Sequence, residues 1–393
     1  MKLLKKLLLI AFIGFSLISN AQKINVRIYA AKPIKEVSFV SSFGRYKVKF
    51  GENETNIQKT DIIKLRAKDD KVELLINDSI IGKYKNISFL SQGLMNFFLV
   101  RPSDSTIKEG RYDDNLMVSI DSKNRLKLIN NIETESYIAG VVQAETWGAT
   151  KNVDFFKLQA ICVRNYLFMN INKHIKQGYH MCDDVHCQAY KGRANQVEVI
   201  QGAYNSKSEV IVDSAGNLIE TLFHSNSGGE TVNSEDVWSK PFSHLVGKKD
   251  SFSVGMKAYE WEKYIKLKDW RRYFKDKGVN IKDDSIKNEL INFSQKEGRK
   301  KDMFGIPLVQ IRKDFGLRST FFDCQEWGSE VKLKGRGYGH GVGMSQEGAI
   351  NMCDQGFEYW QVIEFYFTGS KVKRIETDKI INNINELIIN DNK

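Results

Sequence analysis

Between Lys23 and about Ser122, apolar side chains recur at every second position in short bursts: Ile24-Val26-Ile28, Val37-Phe39, Tyr46-Val48-Phe50, Ile63-Leu65, Val72-Leu74-Ile76, Phe97-Leu99 and Leu116-Val118-Ile120. A period of two, broken by polar residues and glycine, predicts strands. At Ser136 the period changes. Tyr137, Val141 and Ala144 fall on one helical stripe and Ile138 and Val142 on the next, which predicts a short buried helix that Thr134 can cap. A second helix is predicted from Asp154 as its cap to about Gln177, with Gly178 as its stop and Phe156, Ala160, Val163, Leu167, Ile171 and Ile175 as its buried stripe. Val197 to Phe223 reads as a helix-like piece followed by strands at Val210-Val212 and Ile219-Leu222. The pattern as a whole is α+β. It predicts a β-rich N-terminal domain over 22–112, a mixed α/β core over 113–372 with a charged helical insertion at about 255–300, and a tail over 373–393.

The first residues carry a different signal. Lys2, Lys5 and Lys6 precede an apolar run from Leu7 to Ile18, and Ser19-Asn20-Ala21 follow. A basic start, a short greasy core and small residues at the cut are the three parts of a secretory signal, so 1–21 is expected to be removed after Ala21. The core is short for a membrane span, which needs roughly 20 residues. The expected destination is outside the cytoplasm: periplasm, cell envelope or extracellular space.

The chain has 393 residues, of which 41% are hydrophobic and 27% charged, an ordinary globular balance that argues against disorder. Loss of the three leader lysines takes the net charge from +11 to +8, so the exported protein stays basic and suits acidic envelope polymers or anionic headgroups. No nucleic-acid partner is expected, since basic runs are short, as at Arg299-Lys300-Lys301. Five cysteines cannot all pair within the chain, and Cys162, in a helical pattern, reads as a small core residue.

Glu145 is the first candidate for chemistry. It shares the stripe of Ile138 and Val142, and Trp147 lies two residues on. A carboxyl held against an indole on an apolar face loses hydration of its charged form, which raises its pKa and fits it for general-acid work near neutral pH. The plainer reading is a last-turn glutamate pointing to water. Arg164 lies on the line of Lys157, Ile161 and Phe168, where a salt bridge or a ligand contact would explain it.

Two further clusters stand out. Tyr179-His180-Met181-Cys182-Asp183-Asp184-Val185-His186-Cys187-Gln188 holds two thiols and two imidazoles, the preferred ligands of tetrahedral zinc; Cys182, Cys187 and His186 with either His180 or His174 would complete a site. A Cys182–Cys187 disulfide is the alternative outside the cytoplasm. Gly335-Arg336-Gly337-Tyr338-Gly339-His340-Gly341-Val342-Gly343-Met344-Ser345-Gln346 is dense in glycine and leads into a helix start. It lacks the Gly-Lys-Ser/Thr ending of a phosphate loop, which excludes nucleotide binding. A tight packing turn and a loop lining a site through His340, Ser345 and Gln346 are both open readings.

Four stretches, Tyr137 to Glu145, Leu158-Gln159-Ala160 to Arg164-Asn165-Tyr166, Ser225 to Thr231, and Gly335 to Gln346, together resemble the stage II sporulation protein D family, which includes amidase-enhancer proteins. The likeness runs from about Gly110 to Gly369 and includes Cys187-Gln188-Ala189-Tyr190-Lys191-Gly192, Val237-Trp238 and Phe315-Gly316-Leu317-Arg318-Ser319-Thr320. It implies a peptidoglycan lytic transglycosylase that cuts the β-1,4 bond between N-acetylmuramic acid and N-acetylglucosamine, favours peptide-stripped strands and leaves 1,6-anhydro-muramic ends. On this resemblance Glu145 is the catalytic glutamate, and His180, Cys182, His186 and Cys187 are ligands of one structural zinc.

The groove-lining residues expected are Arg164, Gln188, Tyr190, Ser227, His340, Ser345 and Gln346. No organic cofactor is expected. The chain departs from the family pattern at Thr146-Trp147, where Met-Pro is usual, and at Asn165, which replaces a threonine; both bear on fine specificity. Two other functions fit the resemblance less closely. One is a non-catalytic glycan-binding enhancer of a cell-wall amidase, and the other is a zinc hydrolase of stem peptides with Glu145 as its base.

Overall fold

The structure, a computed structural model, describes residues 22–376 apart from Trp147, Val185 and Ser239. The expected leader, the tail beyond 376 and the packing of Trp147 against Glu145 lie outside the described residues. Among the described residues no helix is long and apolar enough to cross a membrane.

The alternating bursts become strands β1 (Lys23–Ile28), β2 (Glu36–Phe50), β3 (Asn53–Ile57), β4 (Ile63–Lys68), β5 (Lys71–Ile76), β6 (Ser79–Tyr84), β7 (Ile87–Pro102), β8 (Gly110–Asp113), β9 (Asn115–Ile120) and β10 (Leu126–Glu133). With a two-residue strand β11 (Met181–Cys182), they form one eleven-stranded sheet whose main path runs β11-β1-β10-β9-β7-β2-β4-β5-β6. All the pairings in it are antiparallel except that of β11 with β1. The boundary expected at residue 112 therefore falls inside this sheet, because β9, β10 and β11 pair directly with earlier strands. Val37-Phe39 and Tyr46-Val48-Phe50 belong to a single strand: register shifts near Phe43 move the buried positions from odd to even numbers.

Two helices follow the sheet. Helix α1 (Thr134–Thr146) buries most of its surface, and α2 (Val153–Asn170) is buried on nearly every side, as expected of a helix that is apolar all round. Asn152, not Asp154, caps α2 by accepting the N–H groups of Asp154 and Phe155. The helix stops at Asn170, seven residues short of expectation, and the chain turns through His174 to Gly178, which adopts a left-handed φ of 78°.

Helix α3 (Val197–Asn205) packs on α1 and α2, and β12 (Glu209–Val212) and β13 (Phe223–His224) come next, followed by the short α4 (Glu235–Trp238). A module then leaves the core: β14 (Glu260–Lys266), α5 (Leu267–Asp276), α6 (Asp284–Asn292), β15 (Asp302–Met303), β16 (Ile306–Pro307), α7 (Leu308–Phe315), β17 (Phe322–Trp327) and β18 (Glu330–Arg336). It is longer than the helical insertion expected at 255–300. It also contains a three-stranded sheet, β14-β18-β17, over its own core of Trp261, Trp270, Phe274, Leu290, Phe322 and Leu333. The chain rejoins the main core with β19 (Met344–Ser345), α8 (Gln346–Asp354), α9 (Tyr359–Tyr366) and β20 (Lys371–Arg374).

Candidate active site and metal-type cluster

Helix α1 presents Glu145 in its last turn. The carboxyl is half-buried, and loss of hydration raises its pKa above the ordinary 4.5; the Ala189 backbone amide and the charge of Lys191 pull the other way without cancelling the rise. A cavity of about 380 Å³ runs beside this turn, walled by Gly140, Gln143, Ala144, Gly148, Lys191 and Gly192 among others. Gly140 has to be glycine, because a Cβ there would lie 2.5 Å from the Gly192 carbonyl oxygen and 2.6 Å from the Tyr190 ring. A second cavity of about 310 Å³ lies on the Ser136 and Ala139 side of α1. Its carboxylates are engaged, Asp113 by Arg193 at 2.8 Å and Glu133 by the Tyr204 hydroxyl at 2.6 Å.

The thiols and imidazoles come together below α2. His174, Cys182, His186 and Cys187 each direct a ligand atom into a space in which all four atoms lie within 4.8 Å of one another. The Cys187 sulfur is 3.3 Å from His174 Nε2 and 3.9 Å from His186 Nδ1, and the Cys182 sulfur is 4.0 Å from His186 Nδ1. The two sulfurs are 3.2 Å apart and both are free thiols, well beyond the ~2.05 Å of a disulfide. Two thiols and two imidazoles facing one point fit a tetrahedral ion of the zinc type. His174 Nδ1 meets Gln177 Oε1 at 3.0 Å and the ring stacks on Tyr179, which leaves Nε2 turned to the sulfurs. The Asp183 carboxylate accepts the Tyr29 and Ala30 amides, so the ligand loop is fastened to the end of β1.

His180 is not part of this cluster, contrary to the expected ligand set. Its Nδ1 accepts the Asn25 amide of β1 at 2.8 Å, a contact that holds the sheet edge, and His174 takes the fourth position. The residues alone left His174 and His180 both open as the fourth ligand, and the family resemblance favoured His180.

Most of the expected groove residues turn inward. Arg164 is fully buried and bonds Glu135, the Glu209 carbonyl and Ser206. Tyr190 is buried and donates to Asn130, while Gln188 is held between the Tyr137 hydroxyl and the Val163 carbonyl. Ser227 donates to the buried Asp250 and Ser345 caps α8 through the Gly348 amide. His340 places Nε2 2.9 Å from the Phe223 carbonyl and Nδ1 3.1 Å from the Val342 amide; both ring nitrogens are occupied, and burial lowers its pKa to about 4. Each of these six is engaged within the protein; Arg164 Nε is unpartnered but buried.

Gln346 is the exception, half-exposed with its amide 3.4 Å from Gln159 of α2. The glycine string is thus chiefly a packing device. Gly343, at φ 71°, passes so close to β13 that a Cβ would stand 2.3 Å from the Leu222 carbonyl. Asn165 is likewise structural, its amide clasping the Ile211 and Ile219 carbonyls and the Ile211 N–H.

Fold and site together define an α+β protein with a helix-borne, half-buried carboxyl beside a cavity and a His/Cys cluster able to hold a metal. Residues 122–219, which include both features, match the family model described as Stage II sporulation protein. Stage II sporulation protein D of Bacillus subtilis (strain 168) is 26% identical over 282 residues, 65% of this chain and 78% of that protein. Its counterpart in Bacillus amyloliquefaciens is 24% identical over 277 residues, 63% of this chain and 76% of that protein. Amidase enhancer of Bacillus subtilis (strain 168) is 23% identical over 332 residues, 67% of this chain and 46% of that protein. The chain thus carries a stage II sporulation protein domain over residues 122–219 and is similar, over about two thirds of its length, to Stage II sporulation protein D and Amidase enhancer.

Proposed function

We propose that the protein is an exported lytic transglycosylase of peptidoglycan, with Glu145 as its single general acid and base. The observation that carries this reading is the Glu145 carboxyl itself: half-buried, raised in pKa by lost hydration, and set in the helical turn that borders a cavity. An acid that holds its proton toward neutral pH can protonate the glycosidic oxygen between N-acetylmuramic acid and N-acetylglucosamine. As the C1–O bond breaks, the muramic C6 oxygen attacks C1 and gives its proton to the same carboxylate. One bond replaces another, no water is consumed, and a 1,6-anhydro end results. A hydrolase would need a second carboxylate to activate water. Intramolecular attack removes that need and gains from proximity.

One structural zinc, held by His174, Cys182, His186 and Cys187, fits this reading. Two thiolates and two imidazoles fill its coordination sphere, so its contribution would be to fix the loop that supplies Ala189 and Lys191 to Glu145. The reading is tested by incubating the exported protein with peptide-free glycan and seeking anhydro-ended fragments by mass, with Glu145→Gln as the control.

A second reading, a glycan-binding enhancer of a cell-wall amidase, is favoured by the likeness to Amidase enhancer. The exposed apolar Phe43, Leu94 and Met95 on the β2–β7 ribbon would then be the partner surface. An enhancer would raise amidase turnover and yield no anhydro sugars by itself.

A further inference from the structure

The two thiols of the His/Cys cluster stand at a separation that belongs to neither of their closed forms. Their sulfurs are 3.2 Å apart. A disulfide holds two sulfurs at ~2.05 Å, whereas two sulfurs bound at about 2.3 Å to one tetrahedral zinc stand roughly 3.8 Å apart. A displacement of about 0.6 Å per sulfur inward, or about 0.3 Å outward, reaches one form or the other. The chain between them favours the approach. The Cys187 amide donates to the Asp184 carbonyl at 2.9 Å, closing a turn that brings the two ends together, and the Asp183 carboxylate fixes that turn to the Tyr29 and Ala30 amides. Of the four candidate ligands His186 is the exposed one, so the cluster meets solvent on the His186 side. Among the described residues Cys182 and Cys187 are the one pair of cysteines in contact; Cys162, Cys324 and Cys353 are buried in α2, β17 and α8.

Building on the metal reading of the cluster, and independently of the glycan reading of Glu145, we propose that Cys182 and Cys187 form a redox switch. Reduced, they hold a metal ion with His174 and His186; an oxidant that carries a disulfide joins them to each other and the ion is released. One cysteine sulfur attacks a sulfur of the oxidant and expels its first thiolate. The second, already 3.2 Å away, attacks the mixed disulfide and expels the other thiolate. Each cysteine sulfur loses one electron, the oxidant's two sulfurs gain them, and the departing thiolates take protons from water. Two imidazoles remain of the four ligands, too few for a tetrahedral ion. The loop beyond Cys187 leads straight to Ala189, whose amide donates to the Glu145 carboxylate, so oxidation also loosens the support of that carboxyl.

The test uses the purified protein, loaded with zinc in a reducing buffer that is then removed, and glutathione disulfide as the probe. About one zinc per chain is expected to appear in solution, followed with a chromogenic chelator. In step with it two of the five thiols should be lost, leaving three to be alkylated after denaturation. Peptide mapping is expected to place the new bond between Cys182 and Cys187, and backbone amide exchange over 188–192 to rise. Dithiothreitol with added zinc reverses all of these changes. Zinc that stays bound with the five thiols intact overturns the switch and leaves the metal reading standing, as does a bond to any other cysteine or a stable mixed disulfide with glutathione. Reduced protein that takes up no zinc overturns both.

Discussion

Arg164 of α2 reaches Glu135 of α1 at 2.5 Å, and neither side chain sees solvent to any useful degree. The remaining guanidinium contacts are the Glu209 carbonyl at 2.9 Å, the Ser206 hydroxyl at 3.1 Å and the Ala203 carbonyl at 3.4 Å. This buried ion pair clamps the helix that bears Glu145 against the helix beneath it. Removing one partner strands the other charge in the core, so Arg164→Leu is expected to cost about 3–5 kcal/mol of stability. Denaturant unfolding checks the figure. Glu135→Gln keeps a hydrogen-bonding group opposite Arg164 and is expected to cost less than Arg164→Leu.

Glu145 ties stability and activity to pH with a definite sign. Its folded-state pKa is raised above the unfolded value, chiefly by lost hydration. The neutral acid is therefore favoured in the native protein, and the stability linked to it is complete below the unfolded value and lost as pH rises through the folded one. Relative to Glu145→Gln, the wild type should melt progressively lower across that rise. As a general acid, Glu145 must also be protonated at the start of the reaction, so kcat should fall over the same window. Lys191 pulls the pKa down, and Lys191→Met should move the alkaline limb of the kcat profile upward. An unshifted limb would contradict the contact.

The His/Cys cluster predicts a pattern of metal content. Protein purified without chelator is expected to hold about one zinc per chain, and His174→Ala or Cys182→Ser should lose it and lower the melting temperature. His180→Ala should keep the metal. It should cost only about 1–3 kcal/mol, from the Asn25 amide it leaves unpaired. Atomic emission on the four proteins separates the two histidines.

The glycine string yields a prediction about folding. Gly343→Ala places a methyl against the Leu222 carbonyl at a left-handed φ, which should cost about 1–3 kcal/mol from backbone strain alone, with the clash added. Thermal melting of the variant tests this. A melting temperature equal to that of the wild type would refute the packing account of the string.

The α+β class and the two central helices are legible in the hydrophobic pattern, because buried strands and helices leave periods of two and 3.6 wherever one face meets the core. The pattern fails where geometry interrupts the period. In β2 the register shifts near Phe43 made one strand look like two, and β3 and β6 carry too few buried positions to register. Phe97-Leu99 pointed to β7, yet Phe98 and Val100 face the core most completely.

At the site, residue type pointed to Glu145 as a candidate and to the two cysteines that the structure brings together with His174 and His186. It could not distinguish a polar residue that faces a ligand from one that satisfies the interior, as Arg164, Tyr190, Ser227 and Ser345 do.

The most direct measurement is mass analysis of fragments released from peptide-free glycan by the purified protein and by Glu145→Gln. Fragments ending in 1,6-anhydro-muramic acid are expected from the wild type, with release slowed about 10²- to 10⁴-fold in the variant, whose melting temperature stays within a few degrees. Undiminished release by Glu145→Gln, or hydrated reducing ends in place of anhydro ends, would contradict the assignment of a single acid and base.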